Sequence, residues 1–191
     1  MQKPDREEGR NVQPSDHALT NVRASASNRV MDLTQAQADE DIEEARRLFR
    51  EYESWLGLDL CFQGFEQELR DLPGKYAQPE GRLLLAKLDG NVAGCIAMRK
   101  LDPGVCEMKR LFVRDAFRGH GIGEKLITRL INEARAEDYR TMRLDTFPPK
   151  MAKAVSLYES HGFHPIPAYY DNPHEGVLYM ELDLLNYIQQ K

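Results

Sequence analysis

Apolar residues recur at steps of three and four from Ile42 to Leu56. Ile42, Ala45, Leu48, Phe49, Tyr52, Trp55 and Leu56 share one face of an α-helix. Asp39, Glu40 and Asp41 load its first turn with negative charge, which suits the positive end of the helix dipole, and Gly57 supplies a stop. A short strand, Val30–Leu33, precedes it. A second, shorter helix is predicted over Phe62–Leu69, broken by Leu72-Pro73-Gly74. The period then changes. Arg82–Leu88, Val92–Arg99 and Val105–Val113 are strand-like runs separated by Asp89-Gly90-Asn91 and Asp102-Pro103-Gly104. Turns that short predict antiparallel pairing. Ile122, Leu126, Ile127, Leu130, Ile131 and Ala134 restore a helical stripe. Met142–Phe147 reads as a strand, and Met151–Ser160 as a helix stopped by Gly162. Phe163–Ile166 and Val177–Leu182 read as the last strands, joined by a long polar loop carrying Tyr169, Tyr170 and Asp171. The order β-α-α-β-β-β-α-β-α-β-β predicts one mixed α/β domain over 29–191, without internal repeats. Met1–Asn28 shows no apolar period and is predicted to be a disordered leader.

At 191 residues the chain can bury one core without disulfides or metals. Its 26 Lys and Arg face 31 Asp and Glu, a net charge of −5, which argues against a nucleic-acid partner. Cys61, Cys95 and Cys106 sit at no framework spacing among apolar neighbours. They are expected to be buried, reduced thiols, which points to the cytoplasm. No run approaches the ~20 apolar residues of a membrane span, and no signal-peptide core opens the chain. His161, His164 and the His174-Glu175 pair match no zinc signature, so no metal is expected.

The segment that carries chemistry is Arg118-Gly119-His120-Gly121-Ile122-Gly123, between a predicted strand and a predicted helix. Its glycines let backbone N–H groups converge at a helix N-terminus, and Arg114 and Arg118 add positive charge. A pyrophosphate suits that cradle. The dinucleotide fingerprint fails because Glu124 stands where its third glycine belongs. A P-loop fails because Lys125 is flanked by Glu124 and Leu126.

In these residues the chain resembles the GNAT family of N-acetyltransferases. The family's acetyl-CoA signature, Gln/Arg-x-x-Gly-x-Gly/Ala at a strand-to-helix turn, reads here as Arg118 to Gly123 after the strand Cys106–Val113. A second signature, a helix ending in Leu-Tyr-x-x-x-Gly-Phe, reads as Leu157-Tyr158-Glu159-Ser160-His161-Gly162-Phe163. The resemblance spans about Leu33 to Leu184. It implies the GNAT fold, a mixed and mostly antiparallel central sheet flanked by helices on both faces. It implies acetyl-CoA as co-substrate. Leu111, Phe112 and Val113 would present backbone groups to pantetheine. Arg118, Gly119, His120, Gly121, Ile122, Gly123 and Glu124 would wrap the pyrophosphate, and Tyr158 would protonate the departing thiolate. A homodimer is common among such proteins. Many relatives carry Asn seven residues before the tyrosine, where this chain has Met151.

An amine attacking a thioester must lose a proton, since a primary amine titrates near ~10. A carboxylate can take it, directly or through water. Glu107 is the first candidate base, because its strand leads into the cofactor site, and Asp145 is the second. A backbone N–H around Leu111 is the candidate oxyanion donor. The expected activity is direct transfer of acetyl to a primary amine, a cationic small molecule if acidic groups line the acceptor side. The alternatives are a protein or peptide N-acetyltransferase, which needs an open groove at the Tyr169–Tyr170 loop, and a non-catalytic acyl-CoA-binding module.

Overall fold

The computed structural model describes residues 29–188, so the predicted leader over Met1–Asn28 lies outside the described residues. β1 (Met31–Gln35), β2 (Arg82–Leu88), β3 (Asn91–Asp102) and β4 (Val105–Val113) pair antiparallel in that order. β5 (Thr141–Thr146) joins β4 in parallel. Beyond it, β7 (Leu178–Asp183) pairs antiparallel with β5, and β6 (His164–Ile166) closes the edge. The sheet order is therefore β1-β2-β3-β4-β5-β7-β6. The meander of β2, β3 and β4 follows the two turn sequences. The parallel step follows from α3 (Ile122–Ala136), which carries the chain across one face.

Strand alternation sorts the core into two halves. Leu84, Ile96, Met98, Met108, Met142, Leu144 and Met180 face the Leu126–Ile127–Leu130–Ile131 stripe of α3. Leu83, Leu85, Cys95, Ala97 and Phe112 point the other way. They pack against Ala45, Leu48 and Phe49 of α1 (Asp39–Leu56) and against Phe65 and Leu69 of α2 (Phe65–Asp71). This is the predicted sheet with helices on both faces. α4 (Pro148–Ser160) belongs to both halves, since Met151 joins the α1 side and Tyr158 the α3 side.

That double membership reflects an opening in the sheet. β4 and β5 pair only at Val105–Thr141, Cys106–Met142 and Glu107–Arg143, although both strands continue. Beyond Glu107 and Arg143 they part. The β3–β4 register also slips there. Cys95 faces Phe112 and Ala97 faces Lys109, so Arg110 and Leu111 together oppose Ile96. Arg110 absorbs this bulge with a left-handed backbone, φ 58°.

Three local expectations are corrected. The second helix does not begin at Phe62: Cys61–Gln63 forms a single 3-10 turn, and α2 starts at Phe65 after Gly64 takes a left-handed backbone. The last helix begins at Pro148, three residues before the apolar period shows it, because Pro148 and Pro149 fit a first turn that needs no N–H donors. Cys61 is exposed rather than buried. Its N–H donates to the Asp59 carboxylate at 2.8 Å, in the tight turn that presents the thiol outward.

Candidate active site

The gap between β4 and β5 holds a pocket. Met108, Lys109, Arg110 and Leu111 line one side, and Leu144, Asp145, Thr146 and Phe147 the other. Tyr52 of α1 and Met151 and Tyr158 of α4 close it. The loop between β6 and β7 covers its outer mouth with Asn172 and His174. Tyr170 accepts a hydrogen bond from Gln63 at 3.3 Å, His174 Nε2 lies 2.7 Å from the Asp59 carbonyl, and the Phe62 and His174 rings stack edge-on.

At the α3 end the glycine loop is open. Gly119 and Gly121 hold φ values of 83° and 72°, and a Cβ at either position would meet nothing within 4 Å. Gly121 caps α3 without any side-chain acceptor, and the first backbone bond runs from the Lys125 N–H to the Gly121 carbonyl at 3.1 Å. The N–H groups of Ile122, Gly123 and Glu124 are therefore the unpaired donors of a helix start, an anion site by geometry and dipole. The Glu124 side chain is exposed. His120 is exposed, beside the Arg29 guanidinium, with Nδ1 3.1 Å from the Phe117 and Arg118 carbonyls. Arg118 lies over the Trp55 ring at 5.2 Å and pairs with Asp115. Arg114, expected to serve the anion, instead grips Glu51 with two bonds of 2.8 and 2.7 Å and ties α1 to the loop.

On the α1–α2 side, β4, β5 and β7 present a charged face. Glu107 is fully buried. It accepts from Arg99 at 2.5 Å and from the Tyr169 hydroxyl at 2.9 Å, and it does not line the pocket. Asp145 does line it, and accepts from the Lys109 ammonium at 2.6 Å. Burial pushes the Asp145 carboxyl up, but Lys109, Tyr170 and Arg110 together outweigh burial and leave it below the ordinary carboxylate value. Arg110 bonds Glu68 through both guanidinium edges, at 2.8 and 3.1 Å.

Tyr158 is 3% exposed and its ring packs edge-on against Phe163. Its hydroxyl bonds no described residue, yet no buried side-chain polar atom among the described residues lacks a partner. The hydroxyl is therefore the exposed part, and the pocket is what it faces. Burial, with Tyr52 and Asp145 nearby, raises its pKa well above the usual tyrosine value, so it is a protonated donor at any working pH. Met151 sits at a kink in α4 (φ −116°, ψ 26°), where its sulfur accepts from Thr146 at 3.6 Å.

A family model described as "Acetyltransferase (GNAT) family" matches residues 42–163. That span holds both signatures and most of the pocket. The chain belongs to the GNAT acetyltransferase family. Uncharacterized N-acetyltransferases from Dictyostelium discoideum and Schizosaccharomyces pombe resemble this GNAT enzyme. The first is 31% identical over 78% of this chain and 97% of its own length, and the second 36% over 80% and 94%. An N-acetylaspartate synthetase from Danio rerio is 37% identical over 50% of this chain and 34% of its own length. A putative acetyltransferase from Salmonella typhimurium, solved with its cofactor acetyl-CoA, shares the fold. Its TM-score is 0.55 at 22% identity, covering 81% of this chain and 94% of that one.

The structure of this acetyltransferase brings Tyr158, Asp145 and Leu111 to one pocket, and holds Glu107 behind Lys109 and Tyr169. Lys109 and Arg110 are pocket residues that the motif reading passes over. The period-two placement of Glu107 and Lys109, and of Arg143 and Asp145, is the available signal, since it sets all four on one sheet face. Among the described residues no helix is long and apolar enough to cross a membrane.

Proposed function

We propose that this GNAT enzyme moves the acetyl group of acetyl-CoA directly to the primary amine of a small molecule. The observation that carries the reading is the pocket in the β4–β5 gap, lined by Tyr158, Asp145 and Leu111, together with the open N–H groups at the start of α3. The residues fit acetyl-CoA. The Gly119–Glu124 backbone suits a pyrophosphate, the parted strands leave Leu111, Phe112 and Val113 free to meet pantetheine, and the bulge frees backbone at Arg110 and Leu111 to polarise the thioester carbonyl. Acetyl-CoA supplies the activated acetyl group.

Asp145 takes the proton of the acceptor ammonium. The amine nitrogen then bonds to the carbonyl carbon as the carbon–sulfur bond breaks, and Tyr158 gives its proton to the departing sulfur. The nitrogen sheds its second proton, which restores Tyr158 through solvent, so one proton is released per turnover. Glu107 is a positioning residue, holding Lys109, Arg99 and Tyr169 in place. A small acceptor is favoured by the Tyr170–Gln63 and His174–Asp59 bonds, which draw the β6–β7 loop across the groove a peptide would need. The half-length match to a protein named for making N-acetylaspartate supports the same size class.

The test is thiol release from acetyl-CoA with a panel of amines, using wild type and Tyr158→Phe. Wild-type turnover with at least one amine is expected, with kcat falling about 100-fold in the variant and acetyl-CoA affinity kept. Tight acetyl-CoA binding without acceleration by any amine or peptide would instead support a binding module.

A further inference from the structure

We propose that the acceptor is a zwitterion of the α-amino-acid class, with its carboxylate received by Lys109 and its ammonium by Asp145. This rests on the small-molecule reading above and adds the charge class of the substrate.

What decides this is a count of the charges joined by ion pairs to Lys109 and Asp145. Lys109 and Asp145 both line the pocket and pair at 2.6 Å, with side chains 7% and 15% exposed. Glu107 lies 3.7 Å from Lys109 and is already bonded to Arg99. Outside this network Glu68 is shared by Arg110 and Lys75, with the Lys75 side chain 34% exposed to solvent, and Glu181 pairs with Arg143. Two cations, Arg99 and Lys109, therefore share two anions, Glu107 and Asp145, and the quartet is neutral.

An acceptor must enter this balance, because its amine needs a base and Asp145 is the pocket carboxylate. A simple cationic amine that takes Asp145 leaves Arg99 and Lys109 around Glu107 alone, with one positive charge in excess. Leaving a charge unpaired in a desolvated site is costly, which sets simple amines at a disadvantage. An acid without an amine leaves the opposite excess. A molecule carrying one charge of each sign, separated by a single carbon, exchanges one internal ion pair for two and keeps the count at zero. The Lys109–Asp145 pair is the empty-site substitute for that molecule.

The experiment measures thiol release from acetyl-CoA with three matched acceptor pools: the common L-amino acids, their carboxamides, and their decarboxylated monoamines. Wild type and Lys109→Gln are run in parallel. For the pool member that reacts, kcat/KM of the wild type should exceed that of its carboxamide by at least about 30-fold. Lys109→Gln should shrink that ratio to within about 3-fold. The ratio within one variant does not depend on how much of it folds, and a thermal shift with acetyl-CoA reports folding separately. Equal or faster reaction of carboxamides or monoamines overturns the zwitterion while leaving the small-molecule reading standing. So does an equal loss on all three pools in Lys109→Gln. If all three pools fail and a peptide is acetylated, the small-molecule reading itself falls, and the zwitterion with it.

Discussion

Gly121 stands at the start of α3 with φ 72°, and a Cβ there would enter open space. Aspartate enters that left-handed backbone more readily than most residues, so Gly121→Asp should cost about 1 kcal/mol of stability. Its carboxylate would nonetheless occupy the N–H groups of Ile122 to Glu124 and repel a pyrophosphate. Calorimetry should show the dissociation constant of acetyl-CoA rising at least about tenfold. An unchanged affinity would remove the pyrophosphate from this loop. This residue and Tyr158 are legible in the sequence because each belongs to a contiguous signature at a helix end. The Lys109–Asp145 pair is not. Its members lie on different strands and meet only once β4 and β5 pair in parallel through Glu107 and Arg143. Glu107 shows the converse: its position on the strand reads correctly, but its burial behind Tyr169 depends on a loop 62 residues away in sequence.

Among the elements, α2 bears on the site through Glu68 and Phe65, both of which contact Arg110. Glu68 holds Arg110 at the β4 bulge and also accepts from Lys75 and the Tyr76 hydroxyl. Burial alone raises the Glu68 carboxyl, but Arg110 and then Lys75 outweigh it and leave it at about 2, against an ordinary 4.5. A carboxyl depressed on folding stabilises fully above its unfolded value and loses that contribution as pH falls toward the folded one. The shift is worth roughly 3 kcal/mol at neutral pH, fading between about pH 4.5 and 2. Glu68→Gln should therefore lose about 3 kcal/mol in denaturant unfolding at pH 7 and show a flatter stability profile below pH 4.5. A loss under about 1 kcal/mol would mean the bulge holds itself. The helices α1 and α3 are legible from apolar period alone, and the meander from its turns. The starts of α2 and α4 are not. Gly64 and the Pro148–Pro149 pair decide them through backbone geometry, while the apolar period runs across the first boundary and begins late at the second.

Across the whole molecule, the acceptor mouth is closed by two segments from distant parts of the chain, the turn after α1 and the loop between β6 and β7. A few bonds join them: Gln63 to Tyr170, His174 to the Asp59 carbonyl, and the Phe62–His174 stack. The two cores beneath are continuous sheet and helix, so opening at the mouth breaks little apolar packing and opening of β3 or β4 breaks much. An acceptor must pass this closure, and the charged face it seeks lies under Tyr169 and Tyr170. Hydrogen exchange on the free protein should therefore be fast over 57–64 and 167–177 and slow over β3 and β4. Acetyl-CoA should slow exchange at 111–113 and 119–124 and stabilise the fold by roughly 2.7 kcal/mol at a hundredfold excess over its dissociation constant. Protection of 57–64 and 167–177 should rise only when an acceptor or product is added as well. If acetyl-CoA alone protects both segments, closure is coupled to the donor and the mouth does not sense the acceptor. If neither ligand protects them, these segments do not gate the site, and the acceptor enters from the α3 side of the sheet.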